Sequence, residues 1–175
     1  MLLTEQTDEA LMALVSKGDL EVLKLLFDRH HLHVFNFLHK MCGDRQLSED
    51  LTQDVFYKVI KYRSTYNNGR FISWLFTIAR NGLKTHFSRN HHYHETLEGI
   101  AEQPSNAPNN TEEYSQLHLA LGMLESSDRE VLVLHKLQEV RYPELAEILG
   151  STPGAVKTKV SRALKKLKEI YTQKL

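Results

Sequence analysis

Near its C-terminus the chain carries five side chains able to grip a polyanion: Lys157, Thr158, Ser161, Arg162 and Lys165. On a helix these positions share one face, opposite the apolar Val156, Val160 and Leu164. Ammonium and guanidinium groups bind phosphate oxygens, arginine also meets guanine edges, and short hydroxyl stems let a helix enter a major groove closely. Thr152-Pro153 fixes where that helix begins. Before it, Tyr142-Pro143-Glu144 opens a short helix bearing Leu145, Ala146, Ile148 and Leu149, and Gly150 permits the tight reversal between the two. The segment from Pro143 to Lys166 therefore has the form of a helix-turn-helix, whose second helix is expected to read duplex DNA.

Two further polar faces lie earlier in the chain. Thr77, Arg80, Asn81, Lys84 and Ser88 fall opposite Phe71, Trp74, Leu75, Ile78, Ala79 and Leu83, after a turn-prone loop from Tyr62 to Gly69. The helical period puts Trp74 inward with Phe71 and Ile78. Asp50, Gln53, Asp54, Tyr57 and Lys61 fall opposite Leu51, Val55, Phe56, Val59 and Ile60. Histidines cluster at His30, His31 and His33 and again at His91, His92 and His94. Neighbouring histidines on one helix diverge, and no carboxylate or thiol completes a ligand set, so they are expected to be solvated surface and no metal or other cofactor is expected. The chain shows no phosphate loop, nucleophile elbow or HExxH pattern, and no catalytic residue is assigned.

The elements that must position these groups are all helical. Asp19 is placed to cap a helix through Leu23, Leu26 and Phe37, ended by Gly43 and Asp44; Ser48 is placed to cap the next, and Ser127 with Glu130 forms a capping-box spacing for another. Residues 95–116, rich in Pro, Asn, Ser and Glu, keep no apolar period and read as a flexible linker. The expected fold is all-α: a bundle of three to four helices in residues 1–94, the linker, and a helix-turn-helix domain in residues 117–175.

The formal net charge of zero is an average. Residues 55–92 hold seven bases and no acid, residues 93–116 five acids and no base, and residues 151–175 seven bases against Glu169 alone. Two basic stretches bounded by acidic ones suit a protein that touches polyanion in two places and a protein partner elsewhere. The single cysteine, Cys42, cannot form an internal disulfide, which fits a reducing cytoplasm. No run approaches the roughly 18 apolar residues of a membrane span, and the start MLLTEQTDEA lacks a basic leader, so neither membrane insertion nor export is expected.

The run DREVLVLHKLQEVRYPELAEILGSTPGAVKTKVSRALKKLKE closely resembles region 4 of sigma-70 family proteins, a motif related to that of LuxR-type response regulators. LSEDLTQDVFYKVIKY resembles sigma region 2.2 and FISWLFTIARNGLKTHF resembles regions 2.3 and 2.4. Both sets in this order, with no third domain between them, resemble the extracytoplasmic-function branch of the family. The resemblance implies a non-enzymatic transcription initiation factor that binds core RNA polymerase, through the beta-prime clamp helices and the beta flap, and directs it to promoters. It implies polymerase contact by Asp50, Gln53, Asp54 and Tyr57, an acidic face suited to a basic partner helix. It implies recognition and melting of the minus-10 element by Tyr62, Arg63, Tyr66, Asn67, Arg80, Asn81 and Lys84, which combine the cations and rings that single-strand capture needs. It assigns the minus-35 element to Lys157, Thr158, Ser161, Arg162 and Lys165, and it implies an anti-sigma factor as a further partner. Two departures stand out: Leu124-Glu125-Ser126-Ser127 replaces a Leu-Pro turn, and Lys157 and Lys159 stand where the family often has arginine, which alone makes a bidentate fork. The rival reading is a stand-alone helix-turn-helix regulator that binds duplex DNA without polymerase.

Overall fold

The computed structural model describes residues 2–94 and 112–174, and within them every regular element is helical. In chain order these are α1 (Asp8–Ser16), α2 (Leu23–Cys42), α3 (Arg45–Lys61), α4 (Phe71–His94), α5 (Glu112–Met123), α6 (Ser126–Leu132), α7 (Tyr142–Leu149) and α8 (Pro153–Lys174).

The apolar pattern read from Asp19 onward misses α1. Its signal is nevertheless present: the Thr7 hydroxyl accepts from the Ala10 N–H at 3.2 Å, and Leu11, Met12 and Val15 form one fully buried face. Asp19 caps no helix with its side chain; it precedes a single 3-10 turn, Leu20–Val22, after the left-handed Gly18 (φ 108°). α2 ends at Gly43, also left-handed (φ 72°), which frees Asp44 to adopt extended backbone and accept from the Leu47 N–H at 3.0 Å. Asp44, not Ser48, is thus the cap of α3, and Ser48 lies buried within the first turn.

α2, α3 and α4 pack around Leu26, Phe37, Leu38, Val55, Val59, Leu75 and Ala79, with Phe37 and Phe76 meeting edge to face at 5.7 Å. Each buried Leu, Val or Phe among them contributes about 1.5–3 kcal/mol by leaving water. α1 closes the end of this bundle, and its Glu9 carboxylate accepts from the Phe71 N–H at 3.1 Å, satisfying one of the donors that have no partner within α4 at its start. Trp74 is partly buried against Tyr66 and Phe71, in keeping with its period.

In the second half α6 and α7 both pack on α8, around Val131, Leu134, Leu145, Ile148, Val156, Val160 and Ala163. A π-helical turn, Val133–Leu137, connects α6 to the following strand-free segment. α6 follows Glu125 and makes no side-chain cap, so the Ser127–Glu130 capping box does not form. Most of the expected linker, residues 95–111, lies outside the described residues, and its last five positions, 112–116, belong to α5.

The two halves are packed together. α4 lies against α7, and α2 against α5 and α6. Buried apolar residues of both halves form one continuous cluster, and polar contacts also cross the junction: Arg80 Nε meets Glu130 Oε1 at 2.7 Å, Arg70 meets Glu147 at 3.0 Å, and His33 Nδ1 meets Gln138 Oε1 at 3.0 Å. Arg129 is the keystone. Its guanidinium donates to the carbonyls of Leu121, Gly122 and Leu124 and, across the junction, to that of Met41 at 3.0 Å.

Candidate nucleic-acid interface

The best-formed surface is on α8. Gly150 takes the left-handed conformation (φ 63°), and the Ser151 N–H turns back to the Ala146 carbonyl at 2.9 Å, ending α7. Two residues on, the Thr152 hydroxyl accepts from the Ala155 N–H at 3.2 Å and starts α8. These two local devices set the angle between the helices. Val156, Val160 and Ala163 are buried against α6 and α7, which leaves Lys157, Thr158, Ser161, Arg162 and Lys165 all exposed on the outer face. Lys166, just beside them, is held by Asp128 at 2.8 Å and anchors α8 to α6. The result is a hydroxyl-lined cationic stripe on the exposed face of a helix, an arrangement suited to a major groove.

The second basic face is only partly available. Asn81 and Lys84 on α4 are exposed, as are Tyr62 and Asn67 in the preceding loop. Lys61 lies 5.4 Å from the centroid of the Tyr62 ring. Arg63 is half-buried and donates to the Ile60 carbonyl at 2.8 Å. Arg80 is engaged by Glu130 of the other half. Tyr66 departs from the sequence expectation of a stacking ring: it is buried beside Trp74 and Phe71, and its hydroxyl donates to the Gly69 carbonyl. Burial, with Glu9 and Asp8 nearby, pushes its phenol up to about 12. Tyr66 holds the loop in place, and Tyr62 is the ring this loop presents to solvent.

On α3, Asp50, Gln53 and Tyr57 are exposed, Tyr57 to 61%. Asp50 accepts from Gln46 at 3.1 Å, and half-buried Asp54 pairs with Lys58 at 2.9 Å. The face is polar and acidic at one end, with a large ring at the other.

The first histidine cluster disperses, as helical geometry requires. His30 meets Asp8 at 2.7 Å, His31 stacks on Phe27 at 4.5 Å, and His33 reaches Gln138. The side chains of His91, His92 and His94 lie outside the described residues. Among the described residues no group of three or more His, Cys, Asp or Glu is arranged to hold a metal ion, and no helix is long and apolar enough to cross a membrane. Sequence reasoning missed Glu130, Arg129, His39 and His118 as junction residues; Glu130 carried a signal, but for a different role.

Residues 26–93 match the family sigma-70 region 2, and residues 114–167 match the family sigma-70, region 4. RNA polymerase sigma factor CarQ of Myxococcus xanthus is 34% identical over 158 residues, covering 87% of this chain and 91% of its own length. RNA polymerase sigma factor YlaC of Bacillus subtilis is 29% identical over 157 residues, covering 85% of this chain and 91% of that one. ECF RNA polymerase sigma factor SigM of the same organism is 27% identical, over 80% of this chain and 89% of its own. Among solved structures, the sigma factor RpoE of Bartonella quintana, crystallised with the anti-sigma factor NepR, superposes with a TM-score of 0.73 at 25% identity, covering 86% of this chain and 97% of that one. CnrH, solved with the cytosolic domain of CnrY, shares the fold with a TM-score of 0.74 at 23% identity, over 93% of this chain and 96% of that one. With region 2 on the α2–α4 bundle and region 4 on the helix-turn-helix, in that order and over 91% of the length of both CarQ and YlaC, the chain belongs to the extracytoplasmic-function group of sigma-70 family sigma factors.

Proposed function

We propose that this sigma factor binds core RNA polymerase in the cytoplasm through the α3 face of Asp50, Gln53, Asp54 and Tyr57 and carries it to promoters. α8 reads the minus-35 element with Lys157, Thr158, Ser161, Arg162 and Lys165. The region 2 surface of Tyr62, Arg63, Asn67, Arg80, Asn81 and Lys84 captures the opened minus-10 strand, with Tyr66 supporting the loop from within. The observation that carries this reading is the α8 stripe, five exposed polar or cationic groups set opposite a buried apolar seam. Its role is binding and positioning, with no catalysis of its own. An anti-sigma partner is part of the proposal, since the solved relative RpoE was crystallised with one.

The test is reconstitution. Core polymerase with this chain should give run-off transcripts from its own promoters that core alone does not give. Specific duplex binding by the isolated chain, with no effect on polymerase, would instead establish a stand-alone regulator.

A further inference from the structure

Where α2 meets α5, the junction between the halves contains a base that faces a cation. Lys40 Nζ lies 3.4 Å from His118 Nδ1. An ammonium can only donate, so Nδ1 must carry its lone pair for the contact to exist. The ring of His39 lies beside that of His118, with centroids 6.3 Å apart and planes 21° from parallel, and also beside Phe35 at 5.6 Å. We propose that this His39–Lys40–His118 cluster is a proton-operated latch: neutral histidines hold the halves closed, and protonation drives them apart.

The surroundings favour the neutral form. α2 and the start of α3 contribute Lys40, Arg45 and the carboxylate Asp44; α6 contributes Arg129; α8, packed on α5, brings Lys168 and Tyr171 to the groove beside Leu117. Burial lowers the affinity of His39 for a proton, Lys40 and Arg45 lower it further, and Asp44 opposes them. For His118 burial acts first, then Lys40, His39 and Arg129. A histidine whose proton affinity is lower in the closed state than in the open one makes closure weaken as pH falls through the ordinary range near 6.5. Above that range the full contribution is present.

Four further histidines are built differently. His30, His31, His33 and His135 each turn a ring nitrogen to an oxygen, of Asp8, Phe27, Gln138 and Val140 respectively. A protonated ring can keep donating to each of those. His33 also crosses the junction, so its contact survives acid, whereas the one at His118 is lost and becomes repulsion. The consequence for activity rests on the proposed function of α4: opening separates Arg80 from Glu130 and frees it for the minus-10 strand.

Small-angle scattering of the full chain at pH 8 and pH 5.5 reads closure directly; a compact chain of this length has a radius of gyration of about 16 Å. The wild type should be close to compact at pH 8 and expanded at pH 5.5. The double variant His39→Gln, His118→Gln keeps an acceptor for Lys40 but takes no proton, and should stay compact at both. His118→Lys installs a permanent cation and should be expanded already at pH 8. A wild-type radius that does not change, a double variant that expands as the wild type does, or a compact His118→Lys at pH 8 would each overturn the latch. Binding of a fluorescent single-stranded oligonucleotide, measured in parallel, should strengthen several-fold at pH 5.5 for the wild type relative to the double variant. Expansion without that gain would uphold the latch and refute the assignment of α4 to the minus-10 strand.

Discussion

Arg80 and Arg162 carry the same charge, and the sequence reads both as nucleic-acid contacts, yet the fold treats them differently. Arg162 is exposed on α8, while Arg80 is tied to Glu130 at 2.7 Å. Replacing Arg162 by Ala should cost about 1–3 kcal/mol if it meets a base edge. Holoenzyme transcription from a promoter with its upstream element should fall accordingly, and that from a template with the element scrambled should not; equal losses would reduce Arg162 to a source of charge. Arg129 serves the fold by donating to four carbonyls at the ends of α5 and α2. Arg129→Ala should lower stability by about 2–3 kcal/mol in urea denaturation, with Arg129→Lys recovering only part, because one ammonium cannot span the same acceptors. Asp8 gives an acid-dependent test. Burial raises its carboxyl, but hydrogen bonds from His30 and Arg29, aided by their charge, outweigh burial and hold it below the ordinary value. Its stabilisation is therefore present above about pH 4 and is lost as pH falls below that. Asp8→Asn should be less stable than wild type at pH 7, and the gap between their urea midpoints should narrow toward pH 3; a constant gap would show that the ion pairs contribute nothing.

At the scale of elements, the reversal between α7 and α8 turns on backbone conformation. Gly150 sits at φ 63°, and a Cβ added there would meet no atom within 4 Å. Gly150→Ala should therefore cost about 1–2 kcal/mol from the left-handed backbone alone, with no added clash against the rest of the fold. Gly154, inside the first turn of α8, is equally open but has ordinary helical backbone. Gly154→Ala should stabilise the chain by roughly 0.5–1 kcal/mol. Opposite shifts in melting temperature for two neighbouring Gly→Ala changes would check that account, and shifts of the same sign would refute it. Helix α3 illustrates another limit: Ser48 has the right residue type for a cap, but the left-handed Gly43 ends α2 so abruptly that Asp44 is already in capping position. α1 offers the Leu11, Met12 and Val15 face over only nine residues, so its apolar period runs for fewer turns than those of the longer helices.

For the whole molecule, the closed arrangement leaves the α8 stripe and the α3 face open while Glu130 covers part of α4. Polymerase should thus be able to engage α3 before the halves part. Asp50→Arg combined with Asp54→Arg should weaken association with core polymerase by roughly tenfold, about 1.4 kcal/mol. The fold should survive, because the Asp54–Lys58 pair is a half-buried i,i+4 pair within one helix and such pairs contribute only about 0.2–0.5 kcal/mol. Unchanged capture by core polymerase, with unchanged circular dichroism, would remove this face from the interface.

The helical period, the two basic stretches and the Gly150 and Thr152-Pro153 signals were sufficient to assign an all-α fold and to place the α8 stripe, because those features depend on residues within a few turns of one another. Tyr66 and Glu130 were not legible in the same way. Tyr66 has the composition of a stacking ring and becomes a buried support only because Phe71 and Trp74 fold over it. Glu130 sits at capping-box spacing from Ser127, and its actual partner, Arg80, is 50 positions away. Local sequence determined which helices form and which faces they offer; only the tertiary packing of the two halves decided which of those faces are covered, since that depends on pairs of residues with no fixed spacing along the chain.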